Sequence, residues 1–345
     1  MRGIERTVRF SFLLVIFFAL RLPAQYLNNP DVRYVVQSGL WNMLVNANSE
    51  TSRYAKILRE HFPDYPFAYI LPVLNKLAID NDNGQEASLS EMGGNLSKAR
   101  EIADSLLGQN RSAENYFYLG MAKAISAYEK FLHKDYVGAF FKGVSALSEF
   151  NNCLALDSSF AAAEVAIGAY KYWSSEKMRS LDWLPFITDE REAGIRLLRK
   201  GLAKDNILYH FGLESLIWIY IHQKKFESAK QLSLRALEKY PNSRFFLYAL
   251  AHAYNKLDKE KANKIFKKIV SLREHDGINS VYWRVVLLHK IAMNEYALGN
   301  YAKARELCEK ILAVKLKPSD FERLASRIKR VEQLRAKIVK KVGNN

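Results

Sequence analysis

The sequence predicts an all-α solenoid, a row of antiparallel helix pairs stacked side by side. Three observations carry this. The second half repeats with a period of 34 residues, so that Leu213, Leu216, Ile217 and Tyr220 recur as Leu247, Leu250, Ala251 and Tyr254. Between them Phe226, Ala229, Ala236 and Pro241 stand at the spacing of a second helix and the turn that ends it. Small residues at Gly120, Gly168 and Ala251 alternate with large ones at Tyr116, Leu213 and Leu247, which lets helix backbones approach while the gaps are filled. One such pair cannot bury its apolar face alone, so neighbours must stack.

Size and composition agree with a repeat array. The chain has 345 residues, 49% of them apolar, with 19 Tyr and 19 Phe, enough for a continuous core. Residues 1–24 read as an export signal: Arg2, Arg6 and Arg9 form a basic start, and Phe10–Leu20 an apolar run interrupted by Ser11. Leu22-Pro23-Ala24 then places a helix breaker and a small residue before Gln25, where cleavage is expected. An 11-residue helix rises about 16 Å, well short of a bilayer core of about 30 Å. An uncleaved N-terminal anchor is the minority alternative, because Arg21 is an awkward charge beside the cleavage site. The net charge is +16; the signal holds four Arg against one Glu, leaving +13. That favours acidic or anionic partners, although a solvated Lys-rich surface is the plainer account. Cys153 and Cys308 are too far apart and too few for a disulfide framework and read as buried small hydrophobes.

The helices follow in order. Asp31–Asn46 has helical apolar spacing with Gly39 at a close-packing place, and Ser52–Phe62 completes a degenerate first repeat ended by Pro63. Phe67–Ile79 is the next helix, with Pro72 expected to kink or break it. Residues 80–94, including Met92-Gly93-Gly94, read as a polar loop before the helix Leu96–Leu107. Within it Asp80-Asn81-Asp82-Asn83-Gly84 has the composition of a calcium loop. The register fails: with Gly84 as sixth residue, Ile79 and Ser90 occupy the first and twelfth places where acidic ligands are needed. A flexible, solvated turn is expected.

Ala113–Lys130 and Tyr136–Leu156 make a long pair, followed by Phe160–Trp173. Gly120 to Gly168 is 48 residues, so repeats here exceed 34 and are expected to contain inserted turns. Residues 174–189 depart from the pattern and hold Trp183-Leu184-Pro185-Phe186; Glu190–Lys204 resumes as helix. Near-regular pairs follow at 210–241 and 244–270, then Val281–Leu298 with Asn300–Leu312, where Ala292, Gly299, Tyr301 and Ala304 keep the spacing. Finally Ser319 and Glu322 form a capping box opening a basic helix with an apolar stripe of Phe321, Leu324, Ile328, Val331 and Ile338. Residues 1–24 are thus the signal, 25–112 degenerate repeats, 113–209 long repeats with the insertion at 174–189, 210–314 regular repeats and 315–345 a basic cap.

On these residues, 210–241, 244–270 and 281–312 resemble the tetratricopeptide repeat family directly, and 31–209 resemble it loosely. The stretch Tyr116–Ala203 is also similar to the Iml2/tetratricopeptide-39 type, through Gly168, Leu184-Pro185 and Gly194. The family resemblance implies a right-handed superhelix whose concave face, built of first helices, receives peptide or protein segments. Several consensus Trp, Tyr and Pro positions are missing, which leaves the repeat number open.

No phosphate loop, nucleophile elbow or dinucleotide fingerprint is present, and none of the seven His has zinc-ligand spacing, so no enzyme activity, cofactor or metal is expected. His210 and Glu214, four apart, are the least poor catalytic or metal candidates because they could share a helix face. His222 ends a helix, where the terminal dipole favours a cation. Residues 315–345 carry ten Lys/Arg against three acids, a face that could touch anionic membrane, but little aromatic interleaving accompanies them, so nucleic acid is not expected. Trp173, Trp183, Leu184, Pro185 and Phe186 form the candidate partner-binding cluster, since they break the repeat and include residue types that dominate interface hot spots. The expected function is an exported protein-interaction scaffold of a bacterial envelope; a membrane-surface assembly factor is the alternative.

Overall fold

The structure, a computed structural model, describes residues 29–85, 90–178 and 188–342. These residues form helices and turns, with no strand among them. In order the helices are α1 Pro30–Leu44, α2 Asn48–His61, α3 Phe67–Asn83, α4 Ser90–Gln109, α5 Ala113–Leu132, α6 Tyr136–Leu156, α7 Ala161–Met178 and α8 Arg191–Leu202. They continue as α9 Tyr209–His222, α10 Phe226–Lys239, α11 Arg244–Leu257, α12 Lys259–His275, α13 Val281–Ala297, α14 Tyr301–Leu312 and α15 Pro318–Val342. Each odd helix packs on the even helix that follows it, and α15 closes the stack against α13 and α14. The export-signal expectation falls on residues outside those described, as do Trp183, Leu184, Pro185 and Phe186.

Local chemistry starts these helices where the sequence permits. Asn29 caps α1 by accepting from the Asp31 and Val32 N–H groups, with Pro30 in the first turn. Ser112, Asp135, Asp258 and Ser280 cap α5, α6, α12 and α13 in the same way. The apolar core then runs unbroken from Val32 to Ala253, and Leu237, Trp283 and Leu307 join it to the C-terminal clusters. Cys153 and Cys308 are buried in it as free thiols, which burial pushes up to about 12 and about 11.

Packing positions read from the repeat behave as spacers and fillers. Leu213, Tyr220, Ala229, Leu247, Ala251, Ala292 and Ala304 are buried, while Phe226, Tyr254 and Tyr301 are half-buried and Pro241 is an exposed stop. Gly120 faces the Phe150 ring so closely that a Cβ would lie 2.7 Å from it. Gly299 turns the chain at φ +82°, in the region that favours glycine. Gly168 and Gly194 face each other where α7 crosses α8, and a Cβ on either would stand 2.7 Å from the other's carbonyl oxygen.

Several expectations are corrected. The long repeat at α5–α6 contains no inserted turn; its helices are 20 and 21 residues long, against 14 in each of α9, α10 and α11. Likewise α7 runs on to Met178, beyond the expected end at Trp173. Pro72 lies inside α3 without ending it, and α3 continues to Asn83. Asp80–Asn83 is therefore the last turn of a helix rather than a solvated loop, with Asp80 and Asp82 buried. Gly84, at φ 66°, supplies the left-handed cap. Met92-Gly93-Gly94 belongs to α4, not to a loop. At the C-terminus α15 begins at Pro318, which puts Ser319 inside the helix, and Phe321 is 57% exposed rather than part of the buried stripe.

Candidate functional site: an aromatic chamber closed by a long-range ion-pair cluster

The odd helices turn one side towards a common interior. Residues of α1, α3, α5, α7, α9, α11 and α13, with two from α12, line a chamber of about 710 Å³. Its walls carry Tyr128, Phe211, Trp218, Phe245, Tyr248 and Trp283 together with Leu74, Leu77 and Ile269. That volume and an apolar wall with few polar groups are the usual character of a ligand site.

One side of the chamber is walled off because the end of α3 meets helices from the C-terminal part of the chain. Asp82, on the last turn of α3, accepts from Arg244 Nη2 at 2.6 Å and from Arg273 Nη2 at 3.0 Å. Arg244 also pairs with Asp276, and Arg273 donates to the Asp82 carbonyl and lies 4.9 Å over the Trp283 ring. All three central groups are buried. Around them, Asn46 donates to the Asn242 carbonyl at 2.7 Å and Ser280 Oγ to the Asn83 carbonyl at 2.8 Å. The Trp283 indole donates to the Asn81 carbonyl, and Arg323 of α15 donates to that of Gly84. The last turn of α3 and its cap are thereby tied to α11, α12, α13 and α15, roughly 160 to 240 positions later in the chain.

A second carboxyl, besides Asp82, faces this interior. Glu214 of α9 stands one turn before Trp218, and among the described residues no cationic side chain pairs with it. It is half-buried and lines the chamber wall. Desolvation pushes it up to about 7, against a smaller opposing effect of the Trp218 indole. Burial first, and then the Glu214 charge, hold the Tyr128 hydroxyl above its ordinary value, and both side chains line the chamber. On the far side of Trp218, with ring centres 5.2 Å apart, burial lowers His252 to about 3, aided by Lys290 and Arg327.

The sign of the Glu214 effect is definite. Its folded value exceeds the unfolded one, so the native state holds the proton more tightly. Glu214 therefore costs no stability below about pH 4.5, and the cost grows as pH rises through about 7. Glu214→Gln is expected to raise stability at pH 8 by up to about 3 kcal/mol and to change little at pH 4.5. The buried histidines run the opposite way in acid, but they are common to both proteins. The difference between their urea-unfolding curves across pH isolates Glu214, and a pH-independent difference would contradict the assignment.

His210 and Glu214 do not share a site. His210 bonds Tyr240 Oη at 3.0 Å and lines a separate hollow of about 590 Å³ with Trp41 and Tyr34. Burial lowers it to about 4. His222 contacts Tyr172 Oη at 3.0 Å and Glu176 at 3.3 Å, so named side chains rather than a dipole alone hold it. Trp173 is a half-buried residue of α7 whose indole donates to Ser215 Oγ at 3.0 Å, and it packs on Tyr172 and His222. No group of three or more His, Cys, Asp or Glu among the described residues is placed to hold a metal ion.

Sequence reading named none of the closing residues except as a failed calcium loop. One signal was present: an Asp/Asn run ending in Gly is a helix end as readily as a loop. The helix pairs, their short turns and their stacked order decide the architecture. The fold is a tetratricopeptide-like helical repeat. No family model matches the chain, and no curated protein matches it. Among solved structures it is similar to the C-terminal part of a TPR repeat-containing protein from Cytophaga hutchinsonii, at 13% identity and TM-score 0.43, covering 83% of this chain and 98% of that one. It is also similar to human IFIT1, solved as a dimer with m7Gppp-AAAA, at 14% identity and TM-score 0.41, covering 88% and 77%. The TPR domain of P58(IPK) matches at 13% identity and TM-score 0.25, covering 88% and 98%.

Proposed function

We propose that this repeat protein is a non-catalytic binding scaffold that receives a segment of a protein partner against its inner helices. The observation that carries the reading is the chamber: every odd helix from α1 to α13 contributes to it, so one occupant would touch most pairs of the stack. Large aromatic side chains on pre-formed helices give contact area at low entropic cost. A photo-crosslinking amino acid at Tyr248, inside the chamber, is expected to capture a defined partner in cells of the source organism. The same probe at Leu234, exposed on the outer helix α10, is expected to capture none. Capture at Leu234 alone would overturn the reading. The cell envelope is the proposed setting, on the strength of the basic and apolar stretch in residues 1–24. A mature protein beginning at Gln25 is the expected mass-spectrometric result; retention of residues 1–24 would point to the anchored alternative.

A second reading, a membrane-surface assembly factor, is favoured by one surface. The α5–α6 hairpin exposes Phe131, Leu132, Tyr136, Val137, Phe140 and Phe141, with Val137 and Phe141 69% and 66% exposed. Lys134 and Lys142 accompany this patch. No described helix is long and apolar enough to cross a membrane, so contact here would be peripheral. Vesicles containing anionic lipid should retain the protein at low salt and lose at least half of it on Val137→Ser/Phe141→Ser substitution. Equal retention of both proteins would remove this reading.

A further inference from the structure

From the chamber walls we infer that the ligand carries an organic cation, an ammonium or guanidinium on an apolar stem, seated against Glu214 among the aromatic rings. The inference rests on the proposal that the chamber is the binding site and adds what that site selects. Two features of the interior point to it. The Arg244 and Arg273 charges are already met by Asp82 and Asp276 in the closing cluster, so they are poor anchors for an incoming anion. Glu214, by contrast, pairs with no cationic side chain among the described residues.

Aromatic faces are negative at their centres and attract cations, most strongly where water is excluded. Tyr128 lines the same cavity as the carboxyl with its ring half-exposed, and Trp218 follows Glu214 by one turn of α9 on that wall. Phe211 and Tyr248 line the same cavity. A buried carboxylate is costly to hold charged without a counter-ion, and an arriving ammonium removes that cost while its alkyl stem displaces water from apolar walls. A neutral ligand would leave the cost in place, and an anionic one would add to it. The cation could be the basic side chain of a protein partner or a free amine, and the two share this chemistry.

Proton linkage follows from the same arrangement. The titratable groups around Glu214 are Tyr128 from α5, Asp82 from α3, Arg244, Tyr248 and, beside Trp218, His252 from α11, and Arg273 from α12; burial pushes Tyr248 up to about 12, so it stays neutral. His252 is lowered to about 3 and the arginines keep their charge, so between pH 6 and 8 Glu214 is the group that changes. Cation binding should therefore release a proton near neutrality and strengthen as pH rises.

The test uses three probes of similar size with different heads: hexyltrimethylammonium, heptanoate and 1-heptanol, titrated calorimetrically into the whole chain at pH 8 and pH 6. The expected result is saturable one-to-one binding of the ammonium, at least tenfold tighter than either comparator at pH 8 and weaker at pH 6. Glu214→Gln should lose at least tenfold for the ammonium and leave heptanol unchanged. Because that variant is expected to be more stable at pH 8, loss of binding would not reflect unfolding; Tyr128→Leu, which removes a ring and not the charge, gives an independent reading with a smaller loss. A capped pentapeptide with central lysine, against its norleucine counterpart, then distinguishes the sources. Preference for the lysine peptide over hexylammonium assigns the cation to a protein partner, and the reverse to a free amine. Equal binding of all three heads, or Glu214→Gln binding the ammonium as well as the parent, would overturn the inference while leaving the chamber a binding site. Binding of no probe would overturn the chamber reading as well.

Discussion

Replacement of Asp82 by alanine is expected to destabilise the protein by about 3–5 kcal/mol, the usual cost of removing one partner from a buried ion pair. Arg244 and Arg273 are both buried and both bonded to this one carboxylate, so its loss leaves two guanidinium groups close together with Asp276, itself partly exposed, as the remaining acid. The guanidiniums cannot deprotonate to escape. The local outcome should be separation of α3 from α11 and α12, opening the chamber before the helices unfold. Urea unfolding measures the loss, and small-angle scattering should show a larger radius of gyration in the folded variant. Arg244→Lys should cost less than Asp82→Ala, because it keeps the positive charge between Asp82 and Asp276 and gives up only part of the guanidinium's hydrogen bonding. An Asp82→Ala protein within about 1 kcal/mol of the parent, with unchanged scattering, would show that the closing cluster is incidental to the fold.

The second large effect is expected at the α7–α8 crossing. A Cβ on Gly168 would stand 2.5 Å from the Leu198 nitrogen, 2.7 Å from the Gly194 oxygen and 3.0 Å from the Leu198 Cα. These are backbone atoms, which cannot rotate away as a side chain can. Gly201 is held the same way, 2.7 Å from the Ala161 oxygen. Gly168→Val must therefore push two helices apart along a seam, at a cost of about 3 kcal/mol, the upper end for overpacking. Gly94→Ala is the control. Gly94 lies on an exposed face of α4 with nothing within 4 Å of a built Cβ, so alanine there should stabilise by up to about 1 kcal/mol through helix propensity. Equal unfolding midpoints for the two variants would refute the packing argument.

These two predictions separate what local sequence makes visible from what it hides. Gly168 and Gly194 stood out as small residues within helical runs, and close packing was the natural reading of both. Their partnership was also foreseeable in outline, since α7 and α8 are consecutive. Asp82 was visible only as part of a polar run, and polar runs read as loops. Its burial depends on Arg244 and Arg273, which lie 162 and 191 positions away, and no periodicity connects them. Glu214 occupies an intermediate case. Its place on α9 was clear, and a face shared with His210 was the least poor of the chemical readings. Position along one helix, however, does not say which neighbour each side faces: His210 turns to Tyr240 at the end of α10, its own pair's second helix, and Glu214 to the chamber.

The repeat of Leu213–Pro241 against the segment from Leu247 therefore determined the all-α class, the pairing of neighbours and most of the helix ends, because those properties arise from contacts between residues close in the chain. Only the tertiary structure decided that the stack curves until its ends meet, and so that its inner face is a chamber. That outcome depends on small rotations accumulated over successive pairs and on charges brought together from opposite ends of the chain. Periodicity reports which face of a helix is apolar; it carries no information on what that face encloses.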